Sequence, residues 1–460
     1  MNDTRSIDPL RLRGQEISND DGILKPGIDQ SPQVSGRAWA VVGMMFLFMV
    51  INFADKAVLG LAAIPIMRDL NLTNEQFGQA GSALFLLFSI SAILVGFIAN
   101  RVSTKLLIAV MALVWAFTQL PMIGMVSFPV LIACRVVLGA GEGPAYPVAL
   151  HAIYKWFPND RRAVPTSLVQ IGGSFGVGIF APLLTWVIVT YSWHAAFGCL
   201  GLAGLLWVSV WMFVGKEGPL ASGEPDAGGG GLEHVPYSSL LSSRTVIGVI
   251  IAGFAGYWGV ALSFVWLPAF LIKAGGYTAT QASFIVGLPS LLQIIMCPGI
   301  GFISQKLRTR GVTSRVSRGL LSSGCVTAAG VALISLSNAS NPVVEAMLVM
   351  VAFTLVTFIF TLGPPLIGEV TPAHQRGAML GINNAIFTTA GLVAPWFMGR
   401  AVDAGVDAAS GFRSGFLFAG VLIAIAGALA MVLINPERDL ARFKKRGAAV
   451  AINEATTAHA

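Results

Sequence analysis

Stretches of about twenty apolar residues recur along the chain, separated by short polar breaks, and this spacing dictates an architecture before any single residue is considered. Twelve such runs lie near 38–62, 77–99, 106–126, 129–153, 165–189, 195–215, 245–272, 281–304, 319–338, 342–366, 378–401 and 412–434. A helix of that length crosses the hydrocarbon core of a bilayer and satisfies its own backbone hydrogen bonds on the way. The pattern therefore predicts an all-α membrane protein with twelve transmembrane helices. Residues 1–37 are polar, carry both signs of charge and contain no apolar signal-peptide core. They read as a disordered cytoplasmic tail, with the first span directing insertion. A second polar tail, 437–460, closes the chain.

The polar break at 216–244 contains the run Gly228 to Gly231 with Pro219 and Pro225, the composition of a flexible linker. It separates two six-helix bundles, 38–215 and 245–436. An internal repeat supports this division: Gly96-Phe-Ile-Ala-Asn-Arg101 after the second span returns as Gly301-Phe-Ile-Ser-Gln-Lys306 after the eighth. Pro158-Asn-Asp-Arg-Arg162 before the fifth span likewise returns as Pro372-Ala-His-Gln-Arg376 before the eleventh. Because six is even, both halves enter from the same side and form parallel repeats, with a binding site expected between them at mid-membrane depth.

Away from the ends of these runs stand four charged residues: Asp55 and Lys56 in the first span, Arg135 and Glu142 in the fourth. A charge at bilayer depth costs roughly 2.5 to 3.5 kcal/mol on insertion scales, so it calls for a partner and a task. On a helix, residues seven apart share a face about 10 Å apart along the axis, which aligns Arg135 with Glu142. Tyr146, four further on, lies near the same face. Adjacent Asp55 and Lys56 point about 100° apart and must look to other helices or to a ligand. One reading is static: Asp55 bridges Arg135, while Lys56 and Glu142 snorkel or are spaced by water. The functional reading makes Asp55 and Glu142 proton-coupling carboxylates, since burial favours the neutral form and lets protons bind and leave. Lys56 and Arg135 then supply positive charge for an anionic substrate. Taking up a proton with an anion reduces the charge moved through a low-dielectric site, which is a physical reason for symport.

Gln170 and Asn384 occupy the same repeat position, by the offset that relates Pro158 to Pro372, and can hydrogen-bond substrate oxygens or neighbouring helices. Tyr257, Trp258, Phe264 and Trp266 could wall the site or serve packing. Pairs such as Gly139 with Gly143 and Gly172 with Gly176 favour close helix packing over substrate contact. Pro144, Pro147, Pro268, Pro289, Pro364, Pro365 and Pro395 are expected to bend or break their spans.

Composition agrees: 55% of residues are hydrophobic and 11% charged, far below the quarter or so of soluble domains. The net charge of +7 orients the protein rather than recruiting nucleic acid. Thirteen Lys and Arg lie in the loops after the even spans and at their edges, against four on the other side. That bias places both termini in the cytoplasm. Cys134, Cys199, Cys297 and Cys325 lie within apolar runs at no ligand spacing, so neither disulfide nor metal is expected. No cofactor is expected either. The five His form no catalytic or metal spacing and no phosphate-binding Gly-x-x-x-x-Gly-Lys motif occurs, which disfavours an enzyme or an ATP-driven pump.

Asn52-Phe-Ala-Asp55-Lys56, Arg135-Val-Val-Leu-Gly-Ala-Gly-Glu142-Gly-Pro144, Trp156-Phe-Pro158 followed by Arg162-Ala163, and Trp266-Leu-Pro268 resemble the major facilitator superfamily. Within it they are similar to the anion:cation symporter family of organic-acid permeases and sialin-like transporters, over about 38–436. The resemblance implies the major facilitator fold, proton coupling at Asp55 and Glu142, substrate binding at the span 1 cation, pairing of Arg135 with Asp55, and substrate contact at Asn384. It departs at Lys56, where the family usually has Arg, and at Asn100, where the superfamily loop commonly has Asp. The resulting expectation is a monomeric secondary transporter in a bacterial inner membrane, importing a sugar acid, hydroxy acid or aromatic carboxylate with protons by alternating access. A proton-coupled antiporter or exporter and a non-transporting membrane sensor are the alternatives. Phe180-Ala-Pro182-Leu-Leu, in place of a Gly-Pro-x-x-Gly-Gly pattern, lowers the antiporter reading.

Overall fold

The computed structural model describes residues 36–443 and 445, apart from 100, 125, 159–160, 221–234 and 373–374. The first tail up to 35, Gly228 to Gly231 and Asn100 therefore lie outside the described residues. Twelve segments are long and apolar enough to cross a membrane: α1 (Gly36–Leu61), α2 (Asn74–Gly96), α3 (Thr104–Ile123), α4 (Phe128–Tyr154), α5 (Val164–Thr190), α6 (Trp193–Val214), α7 (Arg244–Val265), α8 (Ala279–Thr309), α9 (Arg315–Leu336), α10 (Pro342–Val370), α11 (Arg376–Ala404) and α12 (Ala408–Leu433). Each overlaps a run read from the sequence, and the chain is a multi-pass membrane protein of two six-helix repeats.

The two halves use matching local devices. Thr73 and Gln76 close a capping box at the start of α2, and Thr278 with Gln281 closes the same box at the start of α8, its counterpart in the second half. Asn71 and Gly276 both take positive φ just before these caps (50° and 71°). Arg162 donates to the carbonyls of Phe157 and Tyr154, while Arg376, its partner in the sequence echo, donates to those of Thr371 and Gly368. The echoed Arg thus caps orphan carbonyls at the ends of α4 and α10 in the same way. Gly96 and Gly301 of the other echo have open space where a Cβ would stand.

Several spans are interrupted. α4 breaks at Gly143–Pro144, because Pro144 has no N–H for the Ala140 carbonyl, and Trp266 interrupts the helix before Pro268. The break in α5 at Ile179 lies three residues before Pro182, which leaves the Gly178 carbonyl without its helical donor. Pro147 falls in the first turns of the second α4 segment, and Pro289, Pro364, Pro365 and Pro395 sit inside continuous helices without breaking them. Breaks in α10 and α11 fall instead at Val356–Thr357 and Thr389. There the Thr357 and Thr389 hydroxyls bond back to carbonyls of the preceding turn.

The halves meet at the end of the bundle away from the termini. Asp403 of α11 accepts hydrogen bonds from Asn74 N (3.2 Å), Asn74 Nδ2 (2.7 Å) and Glu75 N (2.7 Å) at the start of α2. Trp396 Nε1 donates to Glu75 Oε1 at 3.0 Å, while within the second half Trp266 Nε1 donates to the Pro395 carbonyl at 2.8 Å. Gly78 and Gly60 permit this approach: a Cβ would stand 2.4 Å from the Pro395 oxygen and 1.9 Å from the Phe264 oxygen.

At the opposite end each half is closed by its own acid. Glu217 accepts from Ser103 Oγ, Lys105 N and Lys155 Nζ (3.0, 3.0 and 2.7 Å). Burial opposes the ionised form of Glu217, but these three donors outweigh it and hold the carboxyl down to about 2. Glu437 accepts the Ser314 and Arg315 N–H groups at the matching start of α9. Residues 436–443 are helical, and Asp439 accepts from Ser243 Oγ (2.7 Å) and Thr245 N (2.8 Å). The beginning of the second tail is thereby pinned to α7.

Candidate functional site

The four buried charges converge between α1 and α4, at 1% relative exposure for Asp55, 5% for Lys56, 3% for Arg135 and 1% for Glu142. Lys56 turns to α4, where its Nζ lies 3.2 Å from Glu142 Oε2. It also donates to Asn52 Oδ1, one turn back on its own helix. The rings of Phe53 and Phe88 lie 4.8 and 5.5 Å from the ammonium, adding cation–π attraction in a dry setting. Because the first segment of α4 ends at Glu142, the negative end of its helix dipole also falls here and suits the ammonium.

Asp55 turns the other way, as the 100° separation requires. Its Oδ1 accepts from Gln119 Nε2 at 2.9 Å, near the end of α3. Arg135 reaches the Asp55 backbone carbonyl, 3.5 Å from Nη1, and among the described residues no ion pair joins it to the Asp55 carboxylate. The arrangement expected for a static bridge is thus reversed: Lys56 and Glu142 are paired, and Asp55 is held by a neutral amide. The Glu142 carboxylate oxygens and Arg135 Nε are buried without a well-formed hydrogen bond. That leaves donor and acceptor capacity unused within the cluster.

The other candidates surround this centre at different distances. Tyr257 is walled by Phe85, Phe360 and Phe387, with ring centroids 5.7, 6.2 and 5.6 Å away. Its contact with Phe85 of α2 joins the two halves there. Tyr146 lies beyond the Gly143–Pro144 turn, half-buried, on the second segment of α4. Gln170 is exposed and Asn384 half-buried, and neither amide has a hydrogen-bond partner among the described residues. Interhelical bonding therefore does not occupy them here. One turn from Asn384, Thr388 bonds Ser89 of α2 at 2.6 Å.

The remaining aromatic and glycine features are structural. Trp258 packs on Phe397 and Phe418, and Trp266 is tied to Pro395. A Cβ at Gly139 or Gly143 would stand 1.7 or 2.0 Å from a backbone oxygen of α2, and one at Gly172 or Gly176 within 2.5 Å of one in α1. Sequence reasoning did not single out Gln119, Phe53, Phe88 or Asn383, whose buried Oδ1 has no hydrogen-bond partner. The i to i+4 spacing of Asn52 and Lys56 is the one sequence signal for their contact.

Comparisons with known proteins fit this geometry. The family model that matches is the Major Facilitator Superfamily, over residues 45–395. A probable galactarate/D-glucarate transporter of Bacillus subtilis (strain 168) is 27% identical over 426 residues, covering 86% of this chain and 91% of the relative. A D-galactonate transporter of Escherichia coli O6:H1 is 25% identical over 427 residues, covering 86% and 95%. Among solved structures, a D-xylose-proton symporter superposes with a TM-score of 0.71 at 14% identity, covering 87% of this chain and 99% of that one, a likeness of fold.

Proposed function

Because the chain belongs to the Major Facilitator Superfamily, a family of transporters and not enzymes, we propose that it imports a small organic anion in symport with protons by alternating access. The sugar-acid class is the substrate reading we favour, since similar chains are named for galactarate, D-glucarate, hexuronate and D-galactonate. We place it as a monomer in a bacterial inner membrane, and the distribution of Lys and Arg sets both termini in the cytoplasm.

The observation that carries the proposal is the buried pair of Lys56 and Glu142. Fully ionised, the two carboxylates and two cations sum to zero charge. A proton on Glu142 removes the ammonium's counter-charge and leaves the cluster with a positive charge that one carboxylate neutralises. Proton and anion thus each make the site hospitable to the other, and the loaded site crosses without a large charge penalty. Gln170, Asn384, Tyr146 and Tyr257 are proposed to meet the polar remainder of the substrate, and Arg135 to lend positive potential beside it. Separating the contacts of Asp403 and Glu75 with the facing half would open the far side, consistent with rocking of the two halves.

Uptake of radiolabelled D-galactonate and D-glucarate into proteoliposomes with an inward proton gradient tests the reading. Wild type is expected to accumulate at least one acid, with losses of tenfold or more in Glu142→Gln and Lys56→Ala. Absence of acid uptake, with a neutral or cationic compound carried equally by wild type and Lys56→Ala, would overturn it.

A further inference from the structure

Asp55 has a partner with no role in the proposed cycle. Gln119 is the final residue of the regular helix Thr104–Gln119, fixed there by the tighter turn Leu120–Ile123 with Pro121 behind it. Gly201 of α6 makes room for it: a Cβ at that glycine would lie 3.3 Å from Gln119 Cβ. Gln119 is 2% exposed, and its amide meets the Asp55 carboxylate at 2.9 Å.

The charges around Asp55 make this neutral contact informative. Its own helix supplies Lys56, which is engaged by Glu142 and Asn52. From α4 come Glu142 and Arg135, the latter bonded to the Asp55 backbone carbonyl. α3 presents Gln119, the neighbouring stretches of α5 and α6 carry no charged side chain, and α7 brings Tyr257, packed on Phe85. A cationic partner in place of Gln119 would lock the carboxylate in its ionised form. An amide donates N–H to a carboxylate and, by rotating, accepts the O–H of a carboxylic acid, so it satisfies both protonation states.

We infer that Gln119 is a positioning residue for the proton on Asp55, holding the carboxylate off Arg135 and setting the pH at which it loads. This rests on the proton-coupling reading of Asp55. A hydrogen bond to an ionised group is worth enough that losing it moves the loading midpoint upward by about 1 pH unit.

The test needs no substrate: pH-difference infrared spectroscopy of the purified full chain in lipid follows the C=O band of a protonated carboxylic acid. Wild type is expected to show a band that Asp55→Asn removes. In Gln119→Met, nearly the same size, its midpoint should move up by about 1 pH unit and its frequency should change. An unchanged midpoint and frequency in folded Gln119→Met would overturn the inference. Should that variant not fold, Gln119→Glu serves: two carboxyls in contact bind their first proton at a higher pH than wild type, and an unchanged midpoint again overturns it. If Asp55→Asn removes no band, Asp55 does not titrate, and the proton reading of that residue falls first.

Discussion

At Lys56 the chain carries an ammonium, and the contacts give that choice a consequence. An ammonium has three donors. Asn52 and Glu142 engage it on two sides, so a proton on Glu142 releases charge and donor together. Removing one partner of such a pair leaves the other buried and uncompensated, at a cost of about 3 to 5 kcal/mol. Lys56→Met should therefore lower the melting temperature in detergent markedly, and Lys56→Met with Glu142→Gln should recover most of the loss. Equal destabilisation by the single and double variants would show that the pair is not coupled. The four charges were legible as residues out of place in apolar runs, but their pairing was not. Periodicity gives the angle between Asp55 and Lys56 without saying which helix lies on either side. Gln119 escaped notice because a neutral amide in an apolar run is a weaker signal than a charge.

Among the elements, the glycine spacing marks real helix contacts, while Pro144, Pro182 and Pro268 lie by breaks in their spans and Pro289, Pro364 and Pro365 do not. Gly139 faces the Leu84 backbone oxygen and Gly143 that of Phe88, so small-residue spacing located the α2–α4 contact. Gly139→Leu should abolish folded protein on size-exclusion chromatography, whereas Gly96→Ala, with nothing near its Cβ position, should leave yield and melting temperature within a degree or two. A proline breaks a span only where the lost hydrogen bond is not made good by its neighbours, which residue identity alone does not reveal. The acid at the end of α6 was also invisible as a partner in sequence. Glu217 is held below its ordinary 4.5 at about 2, so its stabilisation is present in full above 4.5 and is lost as pH falls through about 2. Glu217→Gln should lower the melting temperature by a few degrees at neutral pH, the gap narrowing steadily below about 4. A gap independent of pH would deny the ionic origin.

For the whole molecule, the twelve spans and their division into equivalent halves followed from run length and two short echoes, which the paired capping boxes and paired Arg clamps match in position. The halves are not equivalent where they meet. Asp403 of α11 clamps the start of α2, while its counterpart in the first half, Val189 of α5, cannot accept a side-chain hydrogen bond. Sequence could not show this asymmetry, because the contact joins Glu75 to Asp403, far apart along the chain and in different halves. Asp403→Ala should therefore raise the labelling of a single cysteine at Ser82 by a membrane-impermeant thiol reagent, by severalfold and without substrate. Unchanged labelling would mean that the clamp does not hold the halves together. The central claim, that Glu142 exchanges Lys56 for a proton as substrate binds, is tested most directly by comparing two modes of transport in Glu142→Gln proteoliposomes. Counterflow exchange of labelled acid should survive while accumulation driven by an inward proton gradient is lost. Gradient-driven accumulation at the wild-type level in that variant would contradict it.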